Sequence, residues 1–455
     1  MSFRRIMSAV LVACMAFCTA ACAGGAASGQ AVEAAAYSPE NPVTITVWNY
    51  YNGQQQISFD ALVSNFNDTV GFEKGIFVNA VNQSNINNLS QELTNAVDGK
   101  VGAQDVPDLA AVYSGPAYEL NARGLIADIG KYFTEEELAQ YVPSFIEEGR
   151  VANDAQLLSF PVSKSTELFV CNITDWADFE AATGVSLDSI NTLEALTSAA
   201  GKYYNWTDSL TPQTPNDGKA LYGRDAMDNY IIAGAHQLGH PVYSVAADGT
   251  ASVSLDRETF KTLWDNYYIP MIKGWFGEYG SYRSDDAKIG KILALTGSSA
   301  GYCMLKSDET HQQAAAEFLK WFTAVQQNLS FSLESGYSPV TTAANKPAAI
   351  DSAAAAANSK ITPQHQNVLD ALLISAQEFT ADKGFAAKPF ERSQDIRSML
   401  EDSLSKITAD DTAAVRAALD AGSTLADATA KYTTDEYFDA WFDDVTNQAK
   451  EIMAG

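Results

Sequence analysis

Positive charge is scarce in this chain. Lys and Arg number 29 against 56 Asp and Glu, for a formal net charge of −27. Nucleic acids and anionic lipid surfaces are held by clustered Lys and Arg, so so acidic a chain is a poor partner for either. Histidine is rarer still, at 4 residues. The close pair His236 and His240 has helical spacing, but Gly239 and Pro241 end the helix there and no third ligand is apparent. Zinc needs three or four protein ligands, so neither a metal nor a cofactor is expected. Oxygen ligands alternating around a turn glycine, as calcium loops require, are missing too, so Asp285-Asp286 and Asp443-Asp444 read as solvated surface. There is no Walker A string and no fixed-period repeat. Of 5 cysteines, Cys171 and Cys303 sit in separate apolar stretches and read as two buried thiols, with a single disulfide between them as the alternative. Beyond the first twenty-two residues no apolar run approaches the roughly 20 residues that span a bilayer.

What is present begins with Arg4 and Arg5, an uncharged run from Ile6 to Phe17, and small residues Thr19-Ala20-Ala21 before Cys22. This reads as a secretory signal. It resembles a bacterial lipoprotein lipobox, with Thr19 where that family usually has Leu. The resemblance implies a lipid on Cys22, followed by a flexible Gly, Ala and Ser tether. Ordinary cleavage nearby, releasing a soluble protein, is the alternative. Either way the protein is expected outside the cytoplasm.

The remaining chain is long enough for two to three domains or two large lobes, and its 46% hydrophobic content is enough for a real core. Val43-Thr-Ile-Thr-Val-Trp48 reads as a buried strand, with further strands at Gly75–Val81, Asp108–Tyr113 and Leu157–Pro161. Helices are expected at Ile57–Val70 and Ile86–Val97, and Pro116 marks a helix start. The second half is more helical: Leu193–Tyr204, Arg257–Lys273, Ala314–Gln327, Phe390–Ile407 and Asp410–Ala454. Strands alternating with helices mean a parallel α/β sheet, whose ligands sit at the carboxyl ends of the strands. Those ends carry Trp48 to Gly53, Tyr113 to Gly115, and Ser163 to Glu167. They offer rings, amides and hydroxyls without an obvious catalytic pair. Helix capping is the competing role for each such Asn, Ser or Thr.

The strings Thr44-Ile-Thr-Val-Trp-Asn-Tyr-Tyr-Asn-Gly-Gln-Gln-Gln, Val106-Pro-Asp-Leu109, Gly124-Leu-Ile-Ala-Asp128, Phe160-Pro-Val-Ser-Lys-Ser-Thr-Glu167, Ala314-Ala-Ala-Glu-Phe-Leu-Lys-Trp-Phe322 and Ser335-Gly-Tyr-Ser-Pro-Val340 follow one another in order. Together they resemble the extracellular solute-binding proteins of ABC importers, in the branch that takes carbohydrates or glycerol phosphates. The resemblance implies an α/β, two-lobed periplasmic-binding-protein-like fold of type II. Each lobe would be a mixed, mostly parallel sheet flanked by helices, with a hinge between. It implies no enzymatic activity, ABC permease subunits as partners, and ATP hydrolysis on a separate subunit. The implied plan is signal at 1–21, anchor cysteine and tether at 22–42, lobe one at 43–160, lobe two at 161–303, a return to lobe one at 304–345, and a helical part at 346–455 mainly in lobe two.

Sugars offer an apolar C–H face for aromatic rings and a hydroxyl rim for amides, hydroxyls and carboxylates. The chain has 20 Tyr and 7 Trp. Trp48, Tyr50, Tyr51, Trp264, Trp275 and Tyr337 are the aromatic candidates, Trp48 being expected in the core. The expected ligand set is Tyr51, Asn52, Ser114, Lys164, Ser165, Thr166, Glu167, Trp275, Ser298, Ser299 and Tyr337, with Arg392 or Arg397 for a phosphate. Arg397 reads better as a solvated helix residue.

One departure stands out. After Lys291-Ile-Leu-Ala-Leu-Thr-Gly-Ser-Ser-Ala-Gly301 family members usually continue for a few dozen residues, whereas Tyr302-Cys-Met-Leu follows here at once. A missing piece of the cleft wall, with unpaired strand edges, is the expectation. Two other functions compete. Gly297-Ser-Ser-Ala-Gly301 matches the G-x-S-x-G string of serine hydrolases, but that motif needs a helix directly after it and a placed triad, and His365 has no evident acidic partner. A non-transporting or truncated homologue, acting as sensor or adhesin, would keep the same scaffold.

Overall fold

β-Branched residues alternate along Val43–Asn49, and the inward set is buried from the first residue. From Val47 onward the strand is buried on both faces, as a central strand of a covered parallel sheet must be. The computed structural model describes residues 37–151, 156–164, 167–280, 283–296, 301–357, 363–380, 385 and 387–455. Its strands are β1 (Val43–Asn49), β2 (Ile76–Asn82), β3 (Leu109–Val112), β4 (Ser159–Phe160), β5 (Val170–Cys171), β6 (Tyr222–Arg224), β7 (Tyr243–Val245), β8 (Ala251–Val253), β9 (Ala294–Thr296) and β10 (Gly301–Met304). The first sheet has the order β2-β1-β3-β10-β4; the second is β5-β9-β6; β7 and β8 form a hairpin.

In the first sheet β1 runs parallel to β2 and β3, while β10 runs antiparallel to both β3 and β4. The helix Gly53–Asp68 buries Phe59, Val63 and Phe66, spaced four and three residues apart on one face. Their rings meet the helix Glu309–Phe322: Phe59 lies 5.7 Å from Phe322, and Phe66 lies 5.3 Å edge-on to Phe318. The helix Ile86–Val97 starts where Asn85 accepts the Asn88 N–H at 2.9 Å, and buries Leu89, Leu93 and Ala96. Each buried Phe, Leu or Val of this set contributes about 1.5–3 kcal/mol over the exposed side chain.

A separate core belongs to the second sheet and the helices Arg257–Ile272, Ser393–Asp420 and Asp435–Ala454. Trp264 stacks on Tyr268 at 3.6 Å and lies 4.8 Å from Trp441. The Asp411 carboxylate accepts from the Tyr268 and Tyr437 hydroxyls, each at 2.6 Å, pinning all three helices together. A small third cluster, Leu329, Ala344, Ile350, Leu372 and Ala376, joins the helices Val325–Ser335, Pro347–Ala356 and Pro363–Thr380. Phe379 of this group packs edge-on to Phe145 of the first lobe at 4.8 Å.

The chain passes from the first sheet to the second between β4 and β5 and returns between β9 and β10. Residues 161–164 stay with the first lobe, because Lys164 pairs through its backbone with Ser338. Gly301–Met304 already lies in the first sheet, so the chain returns before residue 304. The helices Pro347–Ala356 and Pro363–Thr380 pack beside the helix Val325–Ser335 of the first lobe, whereas 393–455 pack into the second. The helix expected over Ala314–Gln327 is two helices, Glu309–Phe322 and Val325–Ser335, because Ala324 is extended between them. After Gly301 the chain is a strand, so the helix of a nucleophile elbow is not there. The short connection from β9 leaves β10 paired on both sides. Cys171 and Cys303 are free thiols on different sheets; burial pushes their pKa values up to about 11 and about 12. His236 lies in the last turn of the helix Met227–Gln237 and stacks on Phe385 at 4.0 Å. The signal and Cys22 lie outside the described residues.

Candidate functional site

Topology decides which ends of the two sheets face each other. The chain leaves the carboxyl end of β4 and enters β5 beside the carboxyl ends of β6 and β9. It leaves the carboxyl end of β9 at Thr296 and enters β10 at Gly301, opposite Val112 at the carboxyl end of β3. Five residue steps reach no more than roughly 18 Å. The carboxyl ends of both sheets therefore border one space between the lobes.

On the first lobe, asparagines tie the strand ends together. Asn82 donates to the Asn49 side chain at 2.8 Å and to the Tyr51 carbonyl at 2.7 Å, and Asn49 is fully buried. This ladder carries Tyr50 half-buried and Asn52 exposed at the start of the helix Gly53–Asp68, where the Asn52 side chain makes no cap bond. Tyr51 is only 2% exposed, wedged 5.1 Å from Phe59 and 5.2 Å from Phe331. Burial raises its pKa, and its hydroxyl lies against those of Ser163 and Tyr302. Tyr51 is thus a core residue and not the platform expected for a sugar. Tyr337 is half-buried, its ring 6.5 Å from that of Phe331. Tyr113, at the end of β3, is 42% exposed. Ser114 opens the helix Ser114–Ala122, and an added Cβ on Gly115 would lie 3.0 Å from the Gln394 amide oxygen. At that point the first lobe touches the helix Ser393–Asp420 of the second. Lys164 is nearly buried and bonds Glu148 at 2.6 Å.

On the second lobe, the Arg224 guanidinium ends β6. One terminal nitrogen binds both oxygens of Glu167, at 3.0 and 2.9 Å. The group is 7% exposed and lies 4.7 Å over the Tyr230 ring. Burial works against its charge, yet Glu167 with the Tyr222 and Tyr230 phenols holds its pKa above the usual value. Its Nε has no hydrogen-bond partner among the described residues. Phe169, 39% exposed, stacks on Tyr222 at 6.0 Å. Asp225 accepts from the backbone and side chain of buried Arg283, which also pairs with Asp286 at 2.6 Å.

Several expected residues lie elsewhere. Trp275 accepts the Leu221 N–H at 2.9 Å, at the amino end of β6 and so away from the cleft; its indole packs on Gly201 under Lys273. Trp48 and Trp264 are core. Arg392 precedes the helix Ser393–Asp420 and pairs with Asp395. Arg397 pairs with Asp228 at 2.6 Å instead of standing solvated. Ser165, Thr166, Ser298 and Ser299 lie outside the described residues. Arg224 was missed: it ends a three-residue strand, and its partner is 57 positions away.

No protein-family model matches the chain, and neither does any curated protein. Solved structures do resemble it. One is the cyclic α-maltosyl-1,6-maltose binding protein of Arthrobacter globiformis, with TM-score 0.57 and 16% identity, covering 85% of this chain and 96% of that one. Another is UgpB of Mycobacterium tuberculosis in complex with glycerophosphocholine, with TM-score 0.59 and 14% identity, covering 90% and 98%. A third is the galacto-N-biose-/lacto-N-biose I-binding protein of a Bifidobacterium longum ABC transporter, with TM-score 0.57 and 16% identity, covering 81% and 92%. The likeness establishes the fold as the two-lobed α/β architecture of these binding proteins.

Proposed function

We propose that this protein is the ligand-capturing subunit of an ABC importer, held at the outer face of a membrane by a lipid on Cys22. It takes a sugar, a related polyol or a glycerol phosphate in the cleft between its lobes and hands it to a permease. The observation that carries this reading is the meeting of two sheets' carboxyl ends across short crossings, lined by rings, amides and one carboxylate–guanidinium pair. Such a set binds and does no chemistry. Tyr337, Tyr113 and Phe169 offer ring faces to sugar C–H groups. Asn52, Ser114 and Glu167 offer hydrogen-bond partners to hydroxyls. Ser165 and Thr166, between β4 and β5 in the sequence, and Ser298 and Ser299, between β9 and β10, are the further hydroxyls proposed for the ligand. The three similar proteins, two that bind sugars and one that binds glycerophosphocholine by their descriptions, support the ligand range.

Closure of the lobes about the crossings would shut the ligand from solvent and present a new surface to the permease. A thermal-shift screen of the protein against mono- and oligosaccharides and glycerol phosphates tests the reading. A concentration-dependent rise of Tm with one ligand class is expected. A cooperative melt that no member of either class moves would refute it.

A further inference from the structure

The charges around the strand ends distinguish the two ligand classes that the proposed function leaves together, and the inference rests on that function. A site built for phosphate keeps a guanidinium, an ammonium or bare helix N–H groups ready for it. Here the described cations are already taken. Lys164 is bound to Glu148 and Arg224 to Glu167. Arg283 is held by Asp225, Asp286 and Glu278, Arg397 by Asp228, and Arg392 by Asp395. The N-terminus of the helix Met227–Gln237 is occupied as well, because Glu401 accepts the Asp228 N–H at 2.8 Å. Burial, then the neighbouring Asp228 carboxylate, raises the pKa of Glu401. Carboxylates outnumber cations here, so an incoming phosphate meets net negative charge and must displace a carboxylate from its partner.

The Glu167–Arg224 pair is the part of this arrangement that reaches the cleft. Arg224 is buried against the ring of Tyr230 with its Nε unpartnered among the described residues, while Glu167 remains partly exposed at 27%. We propose that Glu167 is the specificity-determining residue of the cleft: it fills Arg224 as an internal anion, accepts hydroxyls of an uncharged polyol, and excludes phosphate-bearing ligands. A hydroxyl suits such a pair because it donates to the carboxylate and leaves the salt bridge whole. An ionised phosphate without a P–OH can only accept, and so competes with Glu167 for the same guanidinium.

The test is calorimetric titration of the protein with maltotriose, lacto-N-biose, glycerol 3-phosphate and glycerophosphocholine, for the wild type and for Glu167→Gln. In the wild type a neutral sugar is expected to bind at least a hundredfold more tightly than either phosphate. Glu167→Gln frees Arg224, so affinity for that sugar should fall at least tenfold and affinity for glycerol 3-phosphate should rise at least tenfold. Glu167→Asp, which keeps the charge, should weaken the sugar and still reject phosphate; it answers the question if Glu167→Gln lacks a cooperative melt. Wild-type preference for either phosphate, or an unchanged sugar-to-phosphate ratio in Glu167→Gln, overturns the proposal and leaves the binding function standing. Binding of none of the four by a protein that melts cooperatively overturns the proposal, and silence across the wider thermal-shift panel overturns the function with it.

Discussion

Asn328 is fully buried and joins the helix Val325–Ser335 to two chain segments that lie outside the strands and helices. Its amide donates to the Val162 carbonyl at 2.7 Å and accepts the Val340 N–H at 2.7 Å. Val162 immediately precedes Ser163 and Lys164, where the first crossing leaves the lobe. Asn328→Leu keeps the branched four-atom outline of the side chain but removes the amide that partners a buried carbonyl and a buried N–H. Each orphaned group costs about 1–3 kcal/mol, so the expected loss is about 2–5 kcal/mol after the small apolar gain of leucine. For a lobe of this size that is a fall in Tm of about 4–20 °C. Urea unfolding followed by tryptophan fluorescence should show a lower midpoint with an unchanged slope. A change within about 0.5 kcal/mol, the range of ordinary surface substitutions, would refute the assignment of these bonds as anchors of the crossing.

Other expectations follow from the same packing. Asp411→Ala strips the acceptor from two tyrosine hydroxyls and should destabilise the second lobe by about 2–5 kcal/mol, read as a lower urea midpoint; an unchanged midpoint would refute the pin. Gly149→Ala places a Cβ 1.9 Å from the Ser159 carbonyl oxygen, so it should abolish or sharply lower the cooperative melt, and a wild-type Tm would contradict the close approach. Burial raises the folded pKa values of Tyr51, Tyr230 and Tyr267. Below the ordinary phenol pKa near 10 both states keep the proton; above it only the unfolded chain releases it, so stability falls by about 1.4 kcal/mol per pH unit for each buried phenol. Urea midpoints that stay level from about pH 9.5 to 11 would refute this.

The parts of the fold that were legible in the sequence are those written in local periodicity. The β-branched run of β1 and the 3–4 spacing and Asn cap of Ile86–Val97 state their own structure. The cleft residues were harder because exposure is decided by distant partners. Tyr51 follows a strand end as a ligand-binding tyrosine would, but Phe331 arrives from far along the chain to cover it. Trp275 lies in a loop with no local sign that Gly201 would admit its indole. Glu167 is a candidate for sugar hydroxyls from its position after the Lys164-Ser-Thr string, while Arg224 has no periodic context to mark it and its pairing with Glu167 exists only in the folded chain.

The central claim is a cleft that closes on an uncharged ligand. Small-angle X-ray scattering of the protein, titrated with the neutral sugar that most raises its Tm, tests it most directly. The radius of gyration should fall to a plateau as the sugar saturates, and glycerol 3-phosphate should leave it unchanged. A radius of gyration that stays constant while the sugar is bound, or that contracts with glycerol 3-phosphate instead, would contradict the account.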